Sequence, residues 1–271
     1  MISSCGTDFS GGPAVHPDGS RVLFESDADG KLNIWVMDTD GNNRRQLTFT
    51  AAQDFYARWS PDGESIAYAS ESEGDLQIWL MDAEGRNARK LTSAGNTNYS
   101  PSWSPDGAWV SYLSTQGDST FVFKVPVDGG EPVRMSDRSV FVVADWSPDG
   151  RWIATWSRGN PATPQQELLL IPTDGSDEVR SFTITIRSGN EMLGLRWLPD
   201  TSAVSYVFRK DGTPNLQQLP LDGGEPRTLT AFDGDETIFN YDWSPDGQFI
   251  VAQRGVTSSD IVLLENVQPT P

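Results

Sequence analysis

Histidine and cysteine occur once each, as His16 and Cys5, and this scarcity removes whole classes of chemistry. One cysteine makes no intramolecular disulfide and no cysteine metal cluster. One histidine makes no histidine-rich metal site. Long apolar runs are also missing. No stretch of eighteen hydrophobic residues exists, so no helix is expected to span a membrane. The opening Met1-Ile-Ser-Ser-Cys-Gly has neither the basic region nor the apolar stretch of a signal peptide, so the chain reads as a mature or excised piece. "ISSC" has the look of the end of a bacterial lipoprotein signal. The competing reading is an ordinary strand with a free thiol. Bases are few, 20 against 38 acids, for a net charge of −18. That surface repels phosphates and argues against nucleic-acid binding, and it steers cationic partners or ions toward itself. A capped 3.6-residue apolar period is absent too, so helix is expected to be nearly missing.

What the sequence has in abundance is repetition. The pentapeptide WSPDG occurs at 59–63, 103–107, 146–150 and 243–247. Pro-Asp pairs begin at 17, 61, 105, 148, 199 and 245, spaced by 44, 44, 43, 51 and 46 residues. The second unit shows the plan: "YARW" is a strand, "SPDG" a turn, "SIAYAS" a strand, "QIWLMD" a strand, "AEGR" a turn and "ARKLT" a fourth strand. In the turn, Pro presets φ, Asp bonds nearby backbone and Gly tolerates positive φ. Four short antiparallel strands at this period predict an all-β, six-bladed β-propeller. Residues 1–271 form a single propeller domain on this reading, with blades starting near 13, 56, 100, 143, 194 and 240 and a tail at 267–271. The sixth unit runs out after its third strand. Residues 2–8 are predicted to supply the missing fourth strand and close the ring, which removes an exposed edge.

The turn pentapeptide, the "IWVMDTDG" and "IWLMDAEG" strands and the "RQLT" and "RKLT" ends together resemble the TolB-like (WD40-like) propeller repeat, over essentially the whole chain. The resemblance implies a bacterial periplasmic or extracellular scaffold for protein contacts. The family's namesake carries a smaller α/β domain before its propeller; the repeat accounts for nearly all of this sequence, so a complete protein of that kind is not expected. Related blades occur in prolyl oligopeptidase-like and tricorn-like peptidases, whose catalytic serine sits in a separate hydrolase domain. This chain has no G-x-S-x-G nucleophile elbow.

His16 breaks the Trp-Ser pair of the repeat in "VHPDG", and it is expected to pack between blades rather than to act as a base. It also argues against the oligogalacturonate-lyase branch of such propellers, which uses a histidine cluster. "DADGKLN" at 27–33 and "DTDGNN" at 38–43 begin like calcium loops, but the twelfth residue from Asp38 is Phe49 and the fifth from Asp27 is Lys31. Both read as polar turns, so no cofactor is expected, calcium being the one metal weighed. The residues just before the repeat Trp are Arg58, Ser102, Asp145, Arg196 and Asp242, with Val15 set beside them for blade one. The succession Asp145, Arg196, Asp242 is expected to form ion pairs across blades or along the channel.

Function is expected where the repeats differ. The WSPDG turns share one face; the loops between second and third strands share the other. On that loop face, Phe55, Tyr56, Tyr99, Phe239, Asn240 and Tyr241 form a candidate collar at the channel rim. Asp27, Asp29, Glu71 and Glu73 form acidic loops suited to a cationic protein or peptide. No catalytic and no metal-binding residues are assigned. The sequence therefore points to a monomeric, non-enzymatic binding module. An accessory propeller of a bacterial sensor or peptidase and a channel hydrolase or lyase are the alternatives.

Overall fold

The computed structural model describes residues 3–4, 12–28, 30–72, 74–93, 97–158, 165–176, 178–185, 191–210, 212–234, 236–255 and 259–265. They form six four-stranded antiparallel sheets and no helix. The first strand, Ser3–Ser4 (β1), stands apart from the blade that follows it. Blade one is Ala14–Val15 (β2), Arg21–Ser26 (β3), Asn33–Asp38 (β4) and Arg45–Gln46 (β5). Blade two is Asp54–Trp59 (β6), Ser65–Ser70 (β7), Gln77–Asp82 (β8) and Arg89–Lys90 (β9). Blade three is Thr97–Trp103 (β10), Trp109–Gln116 (β11), Ser119–Pro126 (β12) and Val133–Arg134 (β13). Blade four is Val142–Trp146 (β14), Trp152–Arg158 (β15), Gln165–Pro172 (β16) and Arg180–Thr185 (β17). Blade five is Glu191–Trp197 (β18), Ala203–Lys210 (β19), Thr213–Pro220 (β20) and Arg227–Thr228 (β21). Blade six is Thr237–Trp243 (β22), Phe249–Gly255 (β23) and Ser259–Glu265 (β24). Its fourth strand is β1, with Ser3 opposite Asp260 and Ser4 opposite Ser259.

The repeated turn explains the recurrence of its sequence. In blade two, Ser60 Oγ donates to Asp62 Oδ1 at 2.5 Å and accepts Ser65 N–H at 2.9 Å, while Asp62 Oδ1 also accepts Glu64 N–H at 3.0 Å. Gly63 N–H closes the turn on Ser60 O at 2.9 Å, with φ at 73°. The same network recurs around Ser104, Ser147 and Ser244. Hydrogen bonds from serine hold the Asp62, Asp106 and Asp246 carboxyls below their ordinary range. The repeat Trp reaches backward across the junction: Trp103 Nε1 donates to Arg58 O at 3.1 Å and Trp197 Nε1 to Asp145 O at 3.0 Å. His16 packs edge-on against Trp59 at 4.7 Å, with Nδ1 2.7 Å from Asp18 Oδ1.

A polar plug seals some outer strands. Thr48 Oγ1 accepts Ile34 N–H at 3.0 Å and donates to Asn33 Oδ1 at 3.1 Å. Thr92 does the same with Ile78 N–H and Gln77 Oε1, at 3.0 and 2.7 Å. The apolar core is distributed as clusters at the junctions. Blades one and two share one around Ile34, Ile66 and Trp59. Blades four and five share another around Trp156, Leu195 and Tyr206. Val22, Phe24 and Met37 of blade one meet Val251 of blade six, so burial runs around the whole ring. Each blade hides its faces only against neighbours, which is why the pattern needs repetition and closure.

Candidate functional site: the charged channel mouth

The innermost strands of blades two to six each carry a bulge, between Phe55 and Arg58, Tyr99 and Ser102, Val142 and Asp145, Leu193 and Arg196, and Ile238 and Asn240. Tyr56 and Ser100, inside two of them, hold φ at 60° and 54°. Bulges re-aim side chains. In blades two to five the residue that follows the bulge is the one before the repeat Trp; in blade six Asp242 stands two residues beyond Asn240. Arg58, Ser102, Asp145 and Asp242 line a cavity of about 270 Å³ together with Ala14 and Val15 of blade one, where Val15 takes the Trp position and His16 that of the turn serine. The turn prolines Pro17, Pro61 and Pro245 also line it, so the cavity opens on the WSPDG face.

Its charges are held in pairs across blades. Arg196, 4% exposed, places Nε 3.4 Å from Asp242 Oδ1. Its Nη1 donates to Leu195 O at 2.7 Å, and its Nη2 to Asn240 Oδ1 at 3.4 Å. Asp242 Oδ2 accepts Val15 N–H at 2.8 Å, tying blade six to blade one. Asp145 Oδ1 accepts the Ser102 hydroxyl at 2.9 Å, tying blade four to blade three. Thus Arg196 and Asp242 pair as the sequence suggested, whereas Asp145 is held by Ser102. Burial pushes the Asp242 carboxyl up, although Arg196 and Arg58 pull it back. Burial, with repulsion from Arg196, lowers Arg58 to about 10, and Asp242, Asp145 and Glu25 oppose that shift. Arg58 is therefore still a cation at neutral pH. The mouth offers one half-buried cation near two half-buried carboxylates, a set suited to complementary charges on an entering segment.

The residues expected at the loop-face rim divide. Tyr56 and Tyr99 are half-buried with rings 6.0 Å apart, and burial raises the Tyr56 hydroxyl well above its usual range. Tyr56 N–H donates to Glu25, a 3% exposed carboxylate on β3. Phe239 is half-buried. Phe55 instead belongs to the core between blades two and three. Tyr241 is fully buried and donates its hydroxyl to Ser205 Oγ at 2.9 Å, so it does not reach the rim. Asn240 is buried against Arg196. Asp27 is half-buried and Glu71 exposed, in equivalent turns closed by Gly30 and Gly74. Asp29 and Glu73 lie outside the described residues. Sequence reasoning missed Glu25 and the opening of the channel on the turn face. Glu25 did carry a signal: Ala69, Leu113, Trp156 and Val207 fill that strand position in blades two to five, with Gln253 in blade six. No group of three His, Cys, Asp or Glu side chains able to hold a metal occurs among the described residues.

Comparison with known proteins places this geometry. TolB of Acinetobacter baumannii superposes with a TM-score of 0.76 at 19% identity, over 94% of this chain and 64% of that one. This chain therefore spans less than two thirds of that protein. Oligogalacturonate lyase of Vibrio parahaemolyticus gives 0.65 at 17%, over 99% and 78%. A puromycin-hydrolyzing peptidase of Mycobacterium tuberculosis gives 0.63 at 16%, over 98% and 48%. At these identities the likeness concerns the fold alone. No curated protein matches the chain. The family model of the TolB beta propeller domain matches residues 3–101 and 58–178. Together these two overlapping matches take in more than half of the sequence, and the chain belongs to the TolB beta propeller domain family.

Proposed function

We propose that this propeller is a non-enzymatic module that binds a segment of a protein or peptide partner at the channel mouth, outside the cytoplasm. The observation that carries the reading is the 270 Å³ cavity with Arg58, Asp145 and Asp242 around it. It is built by five of the six blades. Its charges are fixed by backbone and cross-blade bonds, so little order is lost on binding. An enzymatic channel is the weaker reading. The one histidine is held by Asp18, Arg21 and Trp59 at the blade-one junction, away from Arg58 and Asp145 in role and contact.

The test begins with a displayed peptide library selected on the propeller. Selected peptides are then measured against Arg58→Gln and Asp145→Asn, and against Lys substitutions at Asp27, Asp29, Glu71 and Glu73. Channel variants are expected to weaken binding at least about tenfold, as loss of a charge-assisted contact does. The loop variants are expected to leave it within about twofold. The opposite pattern would move the site to the acidic loops. Failure to enrich any peptide would overturn the binding reading.

A further inference from the structure

Neighbouring blades are latched on the turn face by long cations. Arg45, first residue of β5, donates Nη1 to Glu84 O at 3.2 Å and pairs Nη2 with Glu84 Oε2 at 2.8 Å. Arg89, first in β9, donates Nη2 to Val127 O at 2.6 Å. At the next junction Lys124 lies over Trp109 at 4.7 Å and donates Nζ to Thr173 O at 2.9 Å. The junction of blades four and five has no such latch among the described residues. Arg180, first in β17, stays on its own blade, its guanidinium over Trp152 at 4.6 Å. A cavity of about 170 Å³ is left, walled by Trp152, Leu170 and Phe182 of blade four and Thr201 and Leu221 of blade five, with Arg180 exposed beside them.

A second feature marks the same place. Gly19, Gly63, Gly107, Gly150 and Gly247 hold φ of 76°, 73°, 70°, 73° and 69° in the repeated turns. In blade five that position is Thr201, with φ at 62°. A β-branched residue in this region is an outlier, because its Cβ crowds the following carbonyl. Such strain collects at binding sites, and the inference runs from the outlier to the site. The degraded turn "WLPDT" and the unlatched arginine thus meet at one pocket.

We propose that this inter-blade pocket binds a single aromatic ring carrying a carboxylate. A cavity near 150 Å³ accepts benzene, so 170 Å³ suits one ring. The ring packs against Phe182, Leu170 and Leu221, and the carboxylate meets the planar fork of Arg180, which suits bidentate pairing. A cationic ligand is disfavoured. The Trp152 face is already taken by Arg180, and Asp149 is taken by Arg151 Nε at 2.7 Å and Ser147 Oγ at 2.6 Å. The shared chemistry has two sources, a free aromatic acid or a chain ending in an aromatic residue.

Isothermal titration with benzoate, N-acetylphenylalanine and N-acetylphenylalanine amide tests it. Saturable binding of either acid is expected, with the amide at least about tenfold weaker. Arg180→Gln is expected to remove at least a factor of about ten, and Arg180→Lys to restore part of it, because charge returns without the fork. Arg180 is exposed, so both variants should unfold at the parent temperature. Tighter binding of benzoate than of N-acetylphenylalanine assigns a free acid, and the reverse assigns a chain terminus. The proposal falls if neither acid saturates the protein by about 10 mM. It also falls if the amide binds as well as the acid, or if Arg180→Gln binds as the parent does.

Discussion

Replacing Asp54 by Asn should stabilise the propeller, and by an amount that depends on pH. Asp54 begins β6 and is fully buried. Its Oδ2 accepts the Thr50 hydroxyl at 3.1 Å, whereas its Oδ1 has no hydrogen-bond partner. Burial raises its carboxyl above 3.8, and the Ser70, Thr48 and Thr50 hydroxyls oppose this only in part. Blade three shows the alternative. Asn98 pairs with Ser114 as Asp54 pairs with Ser70, and its Nδ2 donates to Gln77 Oε1 at 2.9 Å. Gln77 corresponds to Asn33, the Thr48 partner beside Asp54. An amide at 54 would therefore remove a buried charge and gain a donor aimed at an existing acceptor. A buried group without its partner costs about 1–3 kcal/mol. With one oxygen satisfied, the lower end applies, about 1 kcal/mol, or a rise of about 2–4 °C in Tm. The sign follows from linkage. Because the folded state raises this pKa, the folded state holds the proton longer, and stability falls as pH rises through the window above 3.8. The gain from Asn should be full at about pH 8 and vanish near pH 3, where both folded and unfolded Asp are neutral. Thermal unfolding of both proteins at the two pH values measures it. A loss of stability at pH 8, or a gain independent of pH, refutes the reasoning.

Three further outcomes are expected. Gly63→Ala should destabilise far more than Gly107→Ala, although φ is 73° and 70°: a Cβ at 63 would lie 2.3 Å from His16 Nε2, while none of the protein lies within 4 Å at 107. Chemical denaturation should give about 1–2 kcal/mol at 107 from backbone strain alone and more at 63. Asp242→Ala should cost about 3–5 kcal/mol by stranding Arg196, and Arg196→Met with Asp242→Asn together should recover most of it. Ser60→Ala should let the Asp62 carboxyl rise toward its ordinary value in an NMR titration. The lowered carboxyls of the turns contribute stability that is present above about pH 4 and lost as pH falls through their folded values, about 2 for Asp18.

The architecture was legible because each local signal repeats. Pro, Asp and Gly at fixed offsets in "SPDG" specify a turn by their own bonding, and the units average out local ambiguity. Ring closure was legible by the same count, since a unit short of one strand needs another. The strands begin one to three residues away from the sequence reading, at Asp54 and Thr97 for example, because the bulges before Arg58 and Ser102 add residues with no periodic mark. Tyr241 and Phe55 were harder to place for the same reason. One added residue exchanges the inward and outward sides of a strand. The interest of the channel ring was visible only in part. Residues before the Trp could be lined up, but which would pair, Arg196 with Asp242 and Ser102 with Asp145, depends on positions around a closed circle. The pocket beside Thr201 needed coordinates, although the altered "WLPDT" had already pointed to its blade.

The two-residue strand β1 carries a consequence for the life history of the molecule. Ser3 finds its partner at Asp260, so the last contact to form joins residues almost a full chain apart. Blades one to five can each assemble soon after they are synthesised, since their strands are neighbours in sequence. The sixth must wait with its first three strands exposed until the earliest part of the chain returns. Until then both the Val22 and Val251 sides of that junction face water. The ring therefore closes at a seam between blades one and six. Intermediates should be open arcs, and cellular quality control would meet this protein first at the seam between its ends.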